Sequence, residues 1–463
     1  MSATATKRWS DETEGLCPAC LKTVSASLFE ESGRIWMSRT CESHGESRSL
    51  IASDAREYLR LREYVSPRNG LACCGGETDC ASGPPTCVLL LEITLACNLR
   101  CPTCYADAHG HDYMPVAEAR KRLDAFFRQQ KSLDLLMLSG GEPTIHPQFA
   151  EILELALEYP VGRVLINTNG LRLNQSDELV EALAKHRDRV ELFFSFSSFR
   201  ASVHERLYGK DLRVEKASAL LRAKEANLYT TLVPTVERGV NEDEIGEIYR
   251  YALSLENVNG LNFQPVMSAG RYEHQFVGAE RMTLTDVIAE LEKQTQGALL
   301  ASDFVALPCS HPDCCALTYG FLDSKRENIT PLPRHLDVAK YLDLFSDRIS
   351  FAGVIEGALR RVWSDVANVR AGQTIKDLST LFQSAGIREM IPLIGKKDVI
   401  GKRIFRIVVK PFMDAHTYDR KRIEQCCTKI LTEEGETVSF CEYNIFHRTR
   451  RKFRETIPLK IKN

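Results

Sequence analysis

Cysteine is the residue type that dominates the chemistry open to this chain, with 16 among 463 residues, and these fall into tight groups. Cys97, Cys101 and Cys104 form a C-x3-C-x2-C run followed directly by Tyr105. A cubane 4Fe-4S cluster takes four ligands, usually Cys thiolates. Three sulfurs on one loop therefore hold three irons and leave the fourth open for chemistry. A structural zinc knot or three reduced thiols would use the same residue types. Nearer the N-terminus, Cys17-Pro18-Ala19-Cys20 and Cys41-Glu42-Ser43-His44 flank an alternating hairpin with a turn at Glu31-Ser32-Gly33. Paired knuckles on a hairpin are how zinc-ribbon and rubredoxin-like sites present tetrahedral ligands. About 30 residues make too small a core to stand alone, so one Fe or Zn ion is expected to hold Cys17, Cys20, Cys41 and His44 together.

Two more groups remain. Cys73, Cys74, Cys80 and Cys87 are interleaved with Gly75-Gly76 and Gly83-Pro84-Pro85, a backbone free to wrap closely around an inorganic cluster. Cys309, Cys314 and Cys315 then precede Cys426, Cys427 and Cys441, the last three lying on either side of a turn at Glu433-Glu434-Gly435-Glu436. A hairpin there would set Cys427 across from Cys441. From each adjacent pair one ligand is expected, giving Cys309, Cys315, Cys427 and Cys441 as a second four-thiolate set. One or two auxiliary 4Fe-4S clusters follow from these counts; free buried thiols are the alternative.

Positioning such groups requires a scaffold, and residues 88 to 267 supply an alternation of strand and helix patterns. Strands are expected at 88–94, 133–139, 163–168, 190–197, 229–236 and 259–266. Helices are expected at 116–130, 148–159, 176–187, 215–227 and 242–256. That order argues an α/β fold with a parallel sheet and crossover helices. Chemistry-bearing residues fall at strand ends, where barrels of this kind carry their sites. These are Gly140, Gly141, Glu142 and Pro143 after the second strand, Asn169 after the third, Ser195 and Ser197 at the fourth, and Gln264 and Val266 at the sixth.

The Cys97–Tyr105 loop after a buried strand, with Ser139-Gly140-Gly141-Glu142-Pro143 and the later strand ends, resembles the radical S-adenosylmethionine (SAM) superfamily. The resemblance implies a partial (β/α)6 barrel, a 4Fe-4S cluster whose open iron chelates SAM, and reductive cleavage of SAM to a 5'-deoxyadenosyl radical. It implies that Glu142 and the glycines receive the SAM ammonium, that Ser195, Ser197 and Asn169 bond its ribose or carboxylate, and that Gln264 and Val266 lie by its adenine. The N-terminal module, Phe263-Gln264-Pro265-Val266, Pro308-Cys309-Ser310-His311-Pro312-Asp313-Cys314-Cys315 and Phe440-Cys441-Glu442-Tyr443-Asn444 further resemble the subgroup of tetraether synthases, relatives of which were described as pterin methyltransferases. That resemblance implies carbon–carbon bond formation on lipid chains, with one alkyl carbon held on an auxiliary cluster.

The expected organisation is an N-terminal metal module (1–66), a cysteine-rich linker (67–87), the barrel (88–270) and a C-terminal α+β extension with an auxiliary cluster (271–463). Lys+Arg 60 against Asp+Glu 62 gives a net charge of −2, so no global field argues for nucleic acid. The first residues carry no apolar h-region, and no run reaches the ~18 apolar residues of a membrane span. A cytoplasmic protein is expected, with peripheral membrane contact if the substrate is a lipid. A low-potential donor such as ferredoxin or flavodoxin would supply electrons. Three functions compete: radical coupling on a lipid chain, radical methyl transfer to a pterin-like small molecule, and an iron-sulfur redox or sensor protein without radical turnover.

Overall fold

The structure is a computed structural model that describes residues 9–63, 86–272, 280–307, 310–334 and 403–448. At the N-terminus β1 (Ser10–Leu16), β2 (Thr23–Glu31), β3 (Arg34–Cys41) and β4 (Gly45–Ala52) form an antiparallel sheet in sequence order. The turn between β2 and β3 uses Gly33 at φ +74°, a left-handed conformation that glycine adopts without a Cβ penalty. The expected hairpin is thus the centre of a four-stranded ribbon. Its outer strands are weakly patterned, β4 beginning Gly45-Glu46-Ser47-Arg48, and its buried apolar residues are Leu50 and Ala52. Helix α1 (Ala55–Glu63) follows and packs Tyr58 with Ala26, Leu28, Ile35 and Met37.

The barrel elements follow the expected order. Strands β5 (Val88–Thr94), β6 (Leu133–Gly140), β7 (Val161–Thr168), β8 (Val190–Ser195), β9 (Thr230–Val233), β10 (Thr235–Val236) and β11 (Val258–Pro265) pair in parallel. Between them run α2 (Val116–Gln129), α3 (Phe149–Glu158), α4 (Asp177–Lys185), α5 (Ala201–Tyr208), α6 (Arg213–Glu225) and α7 (Ile245–Ser254). The strands are apolar on both faces because both are covered. In β5, Leu89, Leu91 and Ile93 join the large core under the helices, while Val88 and Leu90 join a smaller cluster facing inward. Helix α5 escapes the sequence pattern, since its eight residues mix His204, Glu205 and Arg206 among the buried Val203 and Leu207.

The C-terminal part does not stand apart as an appended layer. After α8 (Leu284–Gln294) come β12 (Val305–Ala306), β13 (Ala316–Leu322), β14 (Ile329–Pro331), β15 (Ile404–Val409), α9 (Arg420–Glu424), β16 (Thr428–Leu431), β17 (Thr437–Ser439) and a short helical turn, α10 (Phe440–Glu442). Strand β15 pairs in parallel with β11 at one edge of the barrel sheet, and β16 pairs in parallel with β5 at the other. Lys410, directly after β15, donates to Thr428 Oγ1 on β16 at 2.7 Å. The two edges therefore meet across a lumen whose remaining side is covered by β13, antiparallel to β15. Residues 335–402 and those beyond 448 lie outside the described residues.

Candidate active site and metal centres

The three-cysteine loop leaves β5 at Thr94 and is pinned by backbone from three sides. Gly141 N donates to Thr94 O at 2.7 Å and Glu142 N to Ala96 O at 2.9 Å. A Cβ on Gly140 would meet Thr94 O at 2.0 Å, and one on Gly141 would meet Ala96 O at 2.1 Å. The two glycines thus let the loop after β6 lie against the cluster loop itself, a closer role than the expected accommodation of SAM. On the far side Arg271 donates to Cys101 O at 2.9 Å and to Asp107 at 3.0 Å, and its N–H reaches Cys104 O at 2.9 Å. Gly270, at φ +63°, clears Tyr105 O by an amount no side chain would allow, since a Cβ would sit 2.2 Å away. Sequence reasoning missed Gly270 and Arg271 because they lie some 165 positions from the loop that they hold.

Burial pushes Cys97 up to about 12, helped by Glu142 and the neighbouring thiols, and pushes Cys101 up to about 11. Cys101 and Cys104 act on Cys97, so the three sulfurs are neighbours. The donor set therefore fits a three-thiolate 4Fe-4S cluster, whose assembly would displace the thiol protons.

Glu142 is 1% exposed. Its Oε1 accepts from Thr144 Oγ1 at 2.6 Å, Thr144 N at 3.2 Å and Thr168 Oγ1 at 2.8 Å, and its Oε2 accepts from Asn169 N at 2.7 Å. Of the carboxylate's roughly four acceptor directions, one on Oε2 stays open to an ammonium. The larger duty of Glu142 is to tie the end of β6 to the end of β7. Asn169 continues the tie, donating through Nδ2 to Asn98 Oδ1 at 2.7 Å inside the cysteine loop. Pro143 starts the 3-10 turn that points Thr144 back at Glu142. Ser195 and Ser197 diverge in role. Ser197, fully buried, accepts from Tyr208 at 2.6 Å and from Thr235 N at 3.0 Å, which leaves it structural rather than facing the expected ribose. Ser195 faces the lumen, and its carbonyl accepts from Lys216 Nζ at 2.6 Å. Lys216 is fully buried on α6, also donates to Asn169 O at 3.2 Å, and is pulled down to about 8 by desolvation. Its sequence signal is a lysine at helical spacing from Ala219, Leu220 and Ala223, the other buried residues of α6.

Inside the barrel a cavity of about 200 Å³ is walled by Val88, Leu90, Leu135, Met137, Leu165 and Phe193. Tyr105 and Phe440, edge to face at 5.3 Å, also line it. Asn167, Ser195, Asn262 and Gln264 add a polar band, and Arg406 and Lys410 bring positive charge. Among the described residues no carboxylate lines this cavity. Gln264 points into it, whereas Val266 lies outside it, with its N–H bonded to Val236 O at 2.9 Å.

The N-terminal knuckles converge as expected. Ligand atoms of Cys17, Cys20, Cys41 and His44 lie within 4.8 Å of one another. His44 Nδ1 is 3.6 Å from Cys17 Sγ and 3.5 Å from Cys41 Sγ, and the imidazole holds the Cys41 thiol down at about 6. Three sulfurs and one imidazole at these separations fit one tetrahedral ion. The ribbon is docked on the C-terminal region: Arg62 holds Asp313 through Nε at 3.0 Å and Nη2 at 2.8 Å, Tyr58 donates to Asp313 at 2.6 Å, and Thr13 donates to Asp419 at 2.6 Å.

The C-terminal cysteines group differently from expectation. Cys441 lies within α10 and so leaves the ladder that would have set it opposite Cys427. The thiols acting on it are Cys426 and Cys314. Cys315 and Cys427 are neighbours of each other and of Lys410, and Cys315 lines the lumen. Consecutive residues at a strand entry point to opposite sides, so the two members of each adjacent pair, Cys314 with Cys315 and Cys426 with Cys427, have different neighbours. Cys87 N–H donates to Cys427 O at 2.9 Å, joining the first barrel strand to this group. Cys73, Cys74, Cys80 and Cys309 lie outside the described residues.

Comparison with known proteins agrees with this geometry. Residues 91–252 match the radical SAM superfamily, and residues 9–53 match the HMPTM N-terminal zinc ribbon domain. The mycofactocin maturase MftC of Mycobacterium tuberculosis is 29% identical over 37% of this chain and 44% of its own. A crystal structure of Streptococcus suis SuiB bound to precursor peptide SuiA covers 46% of each chain at 17% identity and TM-score 0.38. The 7,8-dihydro-6-hydroxymethylpterin dimethyltransferase of Methanocaldococcus jannaschii is 30% identical over 97% of this chain and 96% of its own. With both the ribbon and the cluster loop in place along that full-length match, this chain is a radical SAM enzyme and belongs to the family of that pterin dimethyltransferase.

Proposed function

We propose that this enzyme directs hydrogen abstraction at an unactivated C–H carbon of an alkyl chain held in the barrel lumen, for carbon–carbon bond formation of the tetraether-synthase kind. When bound, the cluster and SAM supply a 5'-deoxyadenosyl radical beside Cys97, Cys101 and Cys104. The observation that supports the reading is the aliphatic and aromatic part of the lumen wall, Val88, Leu90, Leu135, Met137, Leu165 and Phe193, which stands beside the polar band. An apolar body gains roughly 25 cal/mol per Å² on entering such a wall, while Tyr105 and Phe440 shield the reacting carbon from water. The residues of the chain bind, orient and exclude solvent; Glu142, Asn169 and Arg271 keep the cysteine loop in place above the lumen.

A second reading has its own support. Asn167, Asn262 and Gln264 are the amide groups that would meet the donor and acceptor edge of a heterocycle, and Asn262 Oδ1 is buried without a partner. The relative named a pterin dimethyltransferase points the same way. Incubation with deuterium-labelled alkyl lipid separates the two. Label appearing in 5'-deoxyadenosine supports coupling. Label arriving only from a methyl donor or a pterin replaces it with methyl transfer.

A further inference from the structure

Charged residues interrupt the apolar strands of the barrel near their N-terminal ends: Arg163 in β7, Glu191 in β8 and Arg406 in β15. Side chains two positions apart share a strand face. Arg163 therefore shares the lumen face of Leu165 and Asn167, and Glu191 that of Phe193 and Ser195, while Arg406 itself lines the cavity. Glu191 and Arg406 are 2% and 6% exposed. Charges buried to this extent are kept when they are paired.

The pairing here is uneven. Arg406 Nη2 donates to Glu191 Oε1 at 3.0 Å and to Thr231 Oγ1 at 2.8 Å, and the Thr231 hydroxyl donates to Glu191 Oε1 at 2.5 Å. To reach β9 and β8 from β15, the Arg406 side chain passes over β11 at Gly260. A Cβ there would stand 3.3 Å from Arg406 Nε and 3.0 Å from Thr231 Oγ1. Arg163 Nε lies 3.7 Å from the other carboxylate oxygen, Glu191 Oε2, and Arg163 Nη1 is buried without a hydrogen-bond partner. Two guanidinium groups share one carboxylate, which leaves one positive charge over in this layer. Among the described residues no carboxylate lines the cavity, so a counter-charge within the lumen must come from what binds there. Asn262, the next lumen-facing residue of β11 after Gly260, adds an amide whose Oδ1 is buried without a partner.

We propose that Arg406 anchors an oxyanion, a phosphate or a carboxylate, at the floor of the lumen, so that the substrate is an apolar body carrying such a group. A guanidinium held in a fixed plane by Glu191 and Thr231 is suited to the planar, charge-assisted recognition of either oxyanion. Tyr105, at the other end of the cavity, directly follows the cluster loop, so an anchored ligand turns its far end toward the radical. This assignment rests on the lumen as the substrate site proposed above and holds for an alkyl or a heterocyclic body alike.

Calorimetry on the anaerobically reconstituted full-length chain, with hexyl phosphate, hexanoate and hexanol as probes, tests it. Hexyl phosphate or hexanoate should bind at least tenfold more tightly than hexanol, and the tighter of the two names the oxyanion. Arg406→Met should bring that probe down to the hexanol level. Because this change leaves Glu191 buried beside Arg163 alone, Arg406→Met combined with Glu191→Gln is the second variant, and the same loss is expected from it. An oxyanion preference that survives in either folded variant overturns the assignment. Hexanol binding to the wild-type protein as tightly as both oxyanions also overturns it, while leaving the lumen as the substrate site. Binding by none of the three probes overturns both.

Discussion

The ribbon site and the cysteine loop of the barrel use the same ligand chemistry at opposite geometries. In the ribbon, four ligand atoms lie within 4.8 Å of one another on two knuckles of a continuous antiparallel sheet. In the barrel, three thiols fan out from a single loop, held by backbone contacts to Thr94, Ala96, Cys101 and Cys104 rather than by one another. A closed four-ligand set is complete and can only stabilise; an incomplete set leaves a coordination position for substrate chemistry. Removal of metal should therefore break the first as a fold and the second as a catalyst.

The largest effect belongs to the cysteine loop. Changing Cys97, Cys101 and Cys104 together to Ala should abolish 5'-deoxyadenosine formation while iron elsewhere in the chain is retained, as measured by anaerobic assay and iron counting. Product at the wild-type rate would end the assignment of the loop. Next comes Cys41→Ala. It should release about one Fe or Zn per chain, and since structural zinc contributes on the order of 10 kcal/mol or more to small metal modules, the ribbon should unfold. Elemental analysis and protease sensitivity near residues 15–45 report it. A metal-free ribbon that stays protected would show that the knuckles hold no structural ion.

The same contrast explains what was legible in the sequence. Ligand sets close in sequence, Cys17 to His44 and Cys97 to Cys104, declare themselves by spacing, and β5 to β11 follow from apolar runs separated by amphipathic helices. Contacts distant in sequence do not. Nothing local tells that Arg271 clamps the loop at Cys101, that β15 and β16 extend the barrel at its two edges, or that Cys441 falls in a helical turn instead of the strand opposite Cys427. The last of these turns on one helical turn at Phe440–Glu442, shorter than any periodicity can resolve.

Of intermediate size is the effect of Gly140→Ala. The added Cβ would fall 2.0 Å from Thr94 O, on a residue at φ +119°, so the loop after β6 must retreat from the cluster loop. SAM binding should weaken by about 2 kcal/mol or more, in line with strain at such backbone positions, and calorimetry on the reconstituted enzyme would register it. An unchanged dissociation constant would show that the two loops move independently. Glu142→Gln should cost about 1 to 3 kcal/mol of stability, because an amide nitrogen facing Asn169 N–H leaves a buried donor unmet. Denaturant melts of the two proteins provide the comparison.

The smallest effect, and the one that changes sign, concerns Lys216. Burial lowers its ammonium to about 8 from 10.5, so between those values the unfolded chain holds a proton that the folded chain has released. Stability attributable to this group therefore rises as pH climbs from about 8 to 10.5, and below 8 the full cost of a buried charge, about 3 kcal/mol, is present. Lys216→Met removes that cost but strips the donor from Ser195 O and Asn169 O, at about 1 kcal/mol each. Near pH 7 the variant should be more stable by about 1 kcal/mol; near pH 10.5 it should be less stable by about 2 kcal/mol. Urea unfolding of both proteins across pH 7 to 10.5 measures the crossing. Parallel curves would mean that the Lys216 ammonium is stabilised in the fold by charge beyond that of Cys101 and Glu142, and that the site carries more negative potential than these two groups supply.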